Sequence, residues 1–156
     1  MPQTSLPSPI GPILLRAEED LLASIMIGAE AGDDTTGDAL LREAAAQLSA
    51  WFAGRLDRFN LPLSPPATPR GAAHRDAIAA IPYGDTASYG ALARMIGSAP
   101  RAVGQACRRN PFPIVIPCHR VIGAGGSIGY YSGGAGIKTK LWLLEHERRH
   151  ASKEGR

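Results

Sequence analysis

SYGALARMIGSAPRAVGQACRRN, residues 88–110, is the stretch on which the fold turns. Ser88 can cap a helix over Tyr89–Ile96, and Gly97 can end it. Pro100 suits the first position of a further helix running to about Arg109, because proline's missing N–H is not needed there. Asn110 and Pro111 close that helix. Two short helices joined by a tight glycine-containing turn form a helix-turn-helix, whose second member commonly enters a DNA groove. Helix pairs of this size also occur in α-rich domains with no nucleic-acid role, so the pattern alone leaves both readings open.

Upstream, the spacing predicts a helix near 71–80, stopped by Pro82. Residues 61–70 hold four prolines and no helical period, and read as an interdomain linker. Before them, Leu40, Leu41, Ala44, Ala45, Leu48, Trp51 and Phe52 recur at helical spacing from Asp38, with Gly54 as the stop. A Gly/Asp/Thr loop through about Gly37 precedes that helix. Two apolar runs, 10–17 and 21–27, flank the polar turn Glu18-Glu19-Asp20 and predict a β-hairpin. Downstream, the apolar segment 112–117 delivers Cys118-His119-Arg120. A glycine-rich stretch (Gly123, Gly125, Gly126, Gly129, Gly133, Gly134, Gly136) carries Tyr130, Tyr131 and Ser132. It lacks the Lys-Ser/Thr ending of a P-loop, and a close-approach loop lining a pocket fits better. A last helix is predicted over about Ile137–His146. The resulting division is a small α/β module at 1–63, a linker at 64–71, a helix-turn-helix domain at 72–147 and a polar, frayed tail at 148–156.

With 156 residues, the chain has room for one moderate domain or two small ones. Its 44% hydrophobic and 20% charged residues argue against wholesale disorder. No apolar run approaches the ~20 residues of a membrane span, and Met1–Ile10 has neither the basic flank nor the apolar stretch of a signal peptide. A cytoplasmic protein with no membrane partner is the expectation. The net charge of +3 permits nucleic-acid binding without demanding it. Acidic residues dominate the first part (Glu18, Glu19, Asp20, Asp33, Asp34, Asp38), whereas arginines collect later at Arg94, Arg101, Arg108, Arg109 and Arg120. A merely solvated basic face would look the same. The two cysteines, Cys107 and Cys118, are too few for a disulfide scaffold or a structural zinc site, so no metal is expected.

Cys118 is followed directly by His119. Such pairs recur in nucleophilic enzymes because the thiolate, not the thiol, attacks. Burial raises a cysteine's pKa, so something must oppose it. An imidazole oriented by a carboxylate can take the proton directly or through one water. Glu145 on the last helix is the candidate orienter. A core thiol beside a surface histidine would give the same dipeptide.

The surrounding string is more specific. Residues 101–120 read RAVGQACRRNPFPIVIPCHR, followed by Val121-Ile122, then GYYSGG at 129–134, Lys138, and Leu143-Leu144-Glu145. SPIGP at 8–12 and QLSAWFAG at 47–54 precede them. This frame closely resembles the O6-alkylguanine-DNA alkyltransferases, also called methylated-DNA–protein-cysteine methyltransferases. The likeness is strong over 82–147 and in register from Pro9 through the linker. It implies a small sheet-plus-helix α/β module followed by a mainly α, winged-helix-like DNA-binding domain. It further implies stoichiometric, irreversible transfer of an alkyl group from O6-alkylguanine in duplex DNA to Cys118. Activity on O4-alkylthymine stays open. By the same resemblance, His119 deprotonates Cys118 through a water and Glu145 holds His119. Asn110 links the recognition helix to the active-site turn. Tyr89 bonds the flipped base and helps discharge the leaving guanine. Arg101 is the finger that fills the gap left by the everted nucleotide. Tyr131, Ser132 and Val121 line the base pocket, with Ser132 a donor toward O6. No cofactor is implied, and a monomer is expected.

The physics agrees with these roles. A base buried in the stack must be flipped out at a cost of a few kcal/mol, and an inserted Arg101 offsets part of it. Small residues at Ala102, Gly104 and Ala106 let the helix approach the backbone closely. Arg108 and Arg109 suit phosphates, with a solvated helix end as the plainer reading. Cys107 reads as packing rather than a second acceptor.

The chain departs from the family in places. Family members carry an aromatic residue, a glutamine and a tryptophan in the helix before the helix-turn-helix. Here 70–76 read RGAAHRD, and His74 and Arg75 are expected to face DNA or solvent. Asp85-Thr86 stands where Glu-Thr or Glu-Val is usual. The turn between Gly97 and Arg101 is shorter than in many members, which leaves the angle of the recognition helix open. The N-terminal zinc cluster of some members has no counterpart. Three alternatives remain beside the transferase. Alkyltransferase-like lesion-binding proteins carry tryptophan where Cys118 stands. A winged-helix regulator would leave Cys118, His119 and Glu145 without a shared task. A thiol hydrolase would turn over.

Overall fold

A computed structural model describes residues 1–34 and 37–153. Thr35 and Thr36, in the expected Gly/Asp/Thr loop, and residues 154–156 of the expected tail lie outside the described residues. The chain divides into two compact units, Met1–Ser64 and Pro65–Arg156.

In the first unit, β1 (Gln3–Leu6), β2 (Ile13–Glu18) and β3 (Leu21–Ile27) form an antiparallel sheet in that order. The β2–β3 hairpin turns at Glu19 and Asp20, both at positive φ (50° and 65°), the backbone twist that a two-residue hairpin turn requires. β1 escaped sequence reading because Pro2 and Pro7 bracket only four residues. Prolines beside a short edge strand hide its period but also protect its open edge. α1 (Ala39–Phe52) starts where Asp38 Oδ1 accepts from the Leu41 N–H at 3.0 Å. Its apolar stripe Leu41, Ala44, Leu48 and Trp51 is fully buried together with Ile13, Leu15 and Leu22. Part of the expected linker is fastened to this sheet. Leu22 N–H donates to Pro62 O at 2.8 Å, and Ser64 N–H to Leu22 O at 3.0 Å.

The second unit is mainly helical. α2 (Pro69–Ala79) begins two residues earlier than the spacing predicts, because Thr68 Oγ1 accepts from Gly71 N–H and Pro69 takes the first position. α3 (Tyr89–Ile96) is capped by Ser88 and closed by Gly97 in the left-handed region, and α4 (Pro100–Arg108) follows. β4 (Ala87–Ser88) pairs in parallel with β5 (Val121–Ile122), tying the entry of α3 to the exit of the Cys118 turn. α5 spans Ile137–Lys153. The tail expected to fray from 148 is therefore helical through Lys153, supported along one side by Trp142 stacked on His146 at 4.9 Å and by His146 against His150 at 4.2 Å. A second correction concerns α2. His74 faces neither DNA nor solvent: it is 6% exposed, with Nε2 sharing a 2.9 Å hydrogen bond with Ser98 Oγ. Arg75 lies with its guanidinium 5.2 Å from the Phe112 ring centroid.

Candidate active site

The turn between α4 and β5 is built around one amide. Asn110 Oδ1 accepts from Phe112 N–H at 2.9 Å, while its Nδ2 donates to Ile116 O at 2.8 Å. Phe112 and Ile114 are buried to 1% exposure or less, which anchors the turn from below. Ile114 sits at φ 75°, a conformation a β-branched residue adopts only at a cost of roughly 1–3 kcal/mol, and such strain collects at functional sites. The turn ends by presenting Cys118, whose N–H reaches Ile116 O at 2.7 Å. Burial pushes the Cys118 thiol up; the Asn110 amide, the Lys140 ammonium and the backbone N–H push back.

His119 is fully buried, with Nε2 2.8 Å from Glu147 Oε2. Arg120 donates to the same carboxylate through Nε (2.9 and 3.1 Å) and Nη2 (2.7 Å), and through Nη1 to Ile81 O at 2.6 Å. Burial alone would raise Glu147, but hydrogen bonds from His119 and Arg120 and the charge of the Arg120 guanidinium outweigh it and bring the carboxyl to about 2. Burial lowers His119 more than Glu147 raises it. The trio therefore rests as a neutral imidazole, an ionised carboxylate and a guanidinium. Since a carboxylate only accepts, Nε2 carries the ring proton and Nδ1 the lone pair.

Glu147 corrects the expectation for Glu145. Glu145 is exposed and pairs with Arg148 one turn along the helix. Two residues turn a helix by about 200°, so a helix that aims Glu147 at His119 must aim Glu145 at solvent. Lys140 was missed as well, where Lys138 had stood in the motif. It is fully buried, and its Nζ donates to Val121 O at 2.7 Å and Tyr130 O at 3.3 Å. Lys140, Leu143 and Glu147 share one face at helical spacing, the signal that could have found both residues.

A cavity of about 280 Å³ opens onto Cys118, with Tyr89, Gly104, Cys107, Tyr131 and Ser132 among its walls. The Tyr131 hydroxyl is buried and has no hydrogen-bond partner among the described residues. Burial, then Cys118, push it well above its ordinary pKa. Gly129 (φ 78°) lets the loop lie against Tyr89, for a Cβ there would stand 3.2 Å from the Tyr89 hydroxyl. Arg108 stacks over Tyr130 at 4.6 Å beside the opening. Cys107 shares the cavity, but burial first and Cys118 second push its thiol up to about 12, so it keeps its proton. Val121 does not line the cavity: its side chain is fully buried in β5, and its carbonyl is what holds Lys140. On α4, Val103 points inward while Arg101, Arg108 and Arg109 are exposed, with Ala102 and Gly104 half-buried between them. Cys118, His119, Asn110, Tyr89, Tyr131 and Ser132 are thus gathered around one cleft or the turn beneath it.

Two family models match the chain: "6-O-methylguanine DNA methyltransferase, ribonuclease-like domain" over residues 1–65 and "6-O-methylguanine DNA methyltransferase, DNA binding domain" over 72–149. A methylated-DNA–protein-cysteine methyltransferase of Methanosarcina acetivorans is 44% identical over 146 residues, 88% of this chain and 94% of that protein. One from Mycobacterium leprae is 41% identical over 152 residues, covering 92% and 90%. Among solved structures, the Mycobacterium tuberculosis OGT in complex with DNA superposes with a TM-score of 0.82 at 37% identity, covering 96% of this chain and 94% of that one.

Proposed function

The chain belongs to the 6-O-methylguanine DNA methyltransferase family, and from that premise we propose that it repairs O6-alkylguanine in duplex DNA by moving the alkyl group onto Cys118. The observation that carries this reading is a buried thiol on the wall of a cavity of about 280 Å³, followed directly in the chain by a buried neutral imidazole held 2.8 Å from a buried carboxylate.

In this reading, α4 lies along the DNA and its exposed Arg101 enters the stack while the damaged nucleotide swings into the cavity. The cost of flipping, a few kcal/mol, is offset by that insertion and by phosphate contacts from Arg108 and Arg109. Tyr89 and Tyr131 flank the base, and Ser132 donates toward O6. His119 Nδ1 takes the Cys118 proton, directly or through a water, and Glu147 stabilises the imidazolium that forms, as Arg120 and Ile81 O hold Glu147 still. The thiolate attacks the alkyl carbon, a sulfur–carbon bond forms, and the carbon–O6 bond breaks with its electron pair on guanine. Tyr89 passes a proton to the departing base, and the phenol is restored from the imidazolium side. Asn110 and Lys140 keep the attacking sulfur ionisable. A thioether has no easy hydrolytic exit, so each molecule acts once, which separates this reading from a thiol hydrolase. A cysteine at 118 likewise separates it from lesion-binding relatives that have tryptophan there. The protein acts as a monomer in the cytoplasm. No helix among the described residues is long and apolar enough to cross a membrane.

Incubation with duplex DNA carrying one O6-methylguanine tests the reading. The peptide containing Cys118 gains the mass of one CH2 group, and the guanine is restored. An unmodified Cys118 peptide with the lesion still in the DNA would overturn it.

A further inference from the structure

Two consecutive polar residues of α2, His74 and Arg75, make contacts outside their own helix. Ser98 lies in the three-residue turn between α3 and α4, after Gly97 has closed α3. Ala99, at the start of α4, offers no side-chain cap, while Ser98 N–H donates to Ala93 O at 2.8 Å. His74, only 6% exposed, adds a second tie to this turn, its Nε2 sharing a 2.9 Å hydrogen bond with Ser98 Oγ. At the other end of α4, Arg75 lies over Phe112, the buried ring whose N–H is bound by Asn110. Two consecutive residues of one helix thus reach the chain just before and just after α4.

We infer that His74 and Arg75 are positioning residues for duplex recognition, bracketing α4 and setting the angle at which it meets DNA. The inference rests on α4 being the helix that contacts DNA. An imidazole–hydroxyl bond is directional where apolar packing is not, so a short turn held this way has one orientation instead of several. Losing it leaves the cavity and Cys118 intact but lets α4 tilt, and a misaligned helix harms reaction with a nucleotide delivered by a duplex far more than with a free base.

The test measures methyl transfer from O6-methylguanine duplex and benzyl transfer from free O6-benzylguanine for wild type, His74→Val, Ser98→Ala, the double variant and His74→Gln. Wild-type transfer to Cys118 on both substrates tests the repair reading; the ratio of the two rates across variants tests this inference. His74→Val and Ser98→Ala each lower the duplex rate about fivefold while the free-base rate stays within about twofold, the size expected for one buried hydrogen bond. The double variant is no worse than either single one, because both remove the same bond. His74→Gln, which can still reach Ser98, regains most of the duplex rate. Should His74→Val fail to fold, Ser98→Ala carries the same comparison from the half-buried turn. A duplex rate unchanged in Ser98→Ala, or both rates falling together, would overturn the inference.

Discussion

The two units of this protein both bury an apolar core, but they differ in the polar groups they bury beside it. The first unit buries Ile13, Leu15, Leu22, Leu41, Leu48 and Trp51, and among its described residues the buried polar one is Thr4. The second buries Ile78, Leu92, Val103, Phe112, Ile114 and Leu143, and with them His74, His119, Arg120, Thr139, Lys140, His146 and Glu147. Apolar burial contributes roughly 1.5–3 kcal/mol for each large side chain without demanding any direction. A buried ion pair contributes little net stability after desolvation, but its geometry is exacting and its loss is costly. The charged core is therefore where to look for chemistry, and the apolar one for stability.

The sharpest way to break this contrast is at the sulfur. Cys118→Ala abolishes alkyl transfer while duplex binding persists, as gel-shift and mass measurements together will show; a variant that also loses DNA would mark Cys118 as structural. Next in size is Glu147→Gln. It strands Arg120 and misorients His119, costs about 3–5 kcal/mol in urea unfolding and slows transfer on the order of 100-fold. Glu145→Gln, two residues away and exposed, changes neither, and a deficit there equal to that at 147 would restore the sequence expectation. Arg101→Ala comes third: transfer from duplex falls about tenfold and reaction with free O6-benzylguanine stays near wild type, whereas equal losses would remove the finger role. Leu48→Ala in the apolar unit is the smallest in activity. It costs about 2–5 kcal/mol of stability but leaves the free-base rate unchanged wherever the protein remains folded.

Acid should separate the two cores as well. Glu147 is lowered on folding, so its contribution is complete above 4.5 and is lost as pH falls toward about 2. His119 is lowered too and is neutral when buried. The unfolded chain takes up that proton first, and stability begins to decline as pH drops below 6.5. Urea midpoints of wild type should fall across both ranges, and Glu147→Gln should flatten the lower one. A wild-type midpoint that is level from pH 7 to 3 would contradict the buried pair.

Much of the fold was legible locally. The caps Ser88 and Gly97, the helix start at Asp38 and the Glu19-Asp20 turn act within a few residues of themselves, so a linear reading finds them. β1 was hidden because an edge strand between prolines takes its meaning from its neighbour β2. The His74 expectation failed for a related reason. Its polarity suggested an outward face, and only the partner 24 residues away, Ser98, makes burial affordable. Of the site residues named from the motif, Cys118, Tyr89, Tyr131 and Ser132 line one cavity, and Asn110 and His119 belong to the turn that carries Cys118. Glu145 and Val121 were not assignable that way, since each sits beside the residue or atom that matters.

What the sequence determined by itself is the chemistry at hand: a cysteine beside an imidazole, a helix-turn-helix before it and a glycine-rich loop after it, all set by neighbours along the chain. What only the tertiary structure decided is which distant groups complete that chemistry. Glu147 rather than Glu145, Lys140 rather than Lys138 and Ser98 against His74 follow from the rotation of α5 and the packing of α2. A helix places residues two apart on nearly opposite faces, and it takes the packed partner to say which face is inside.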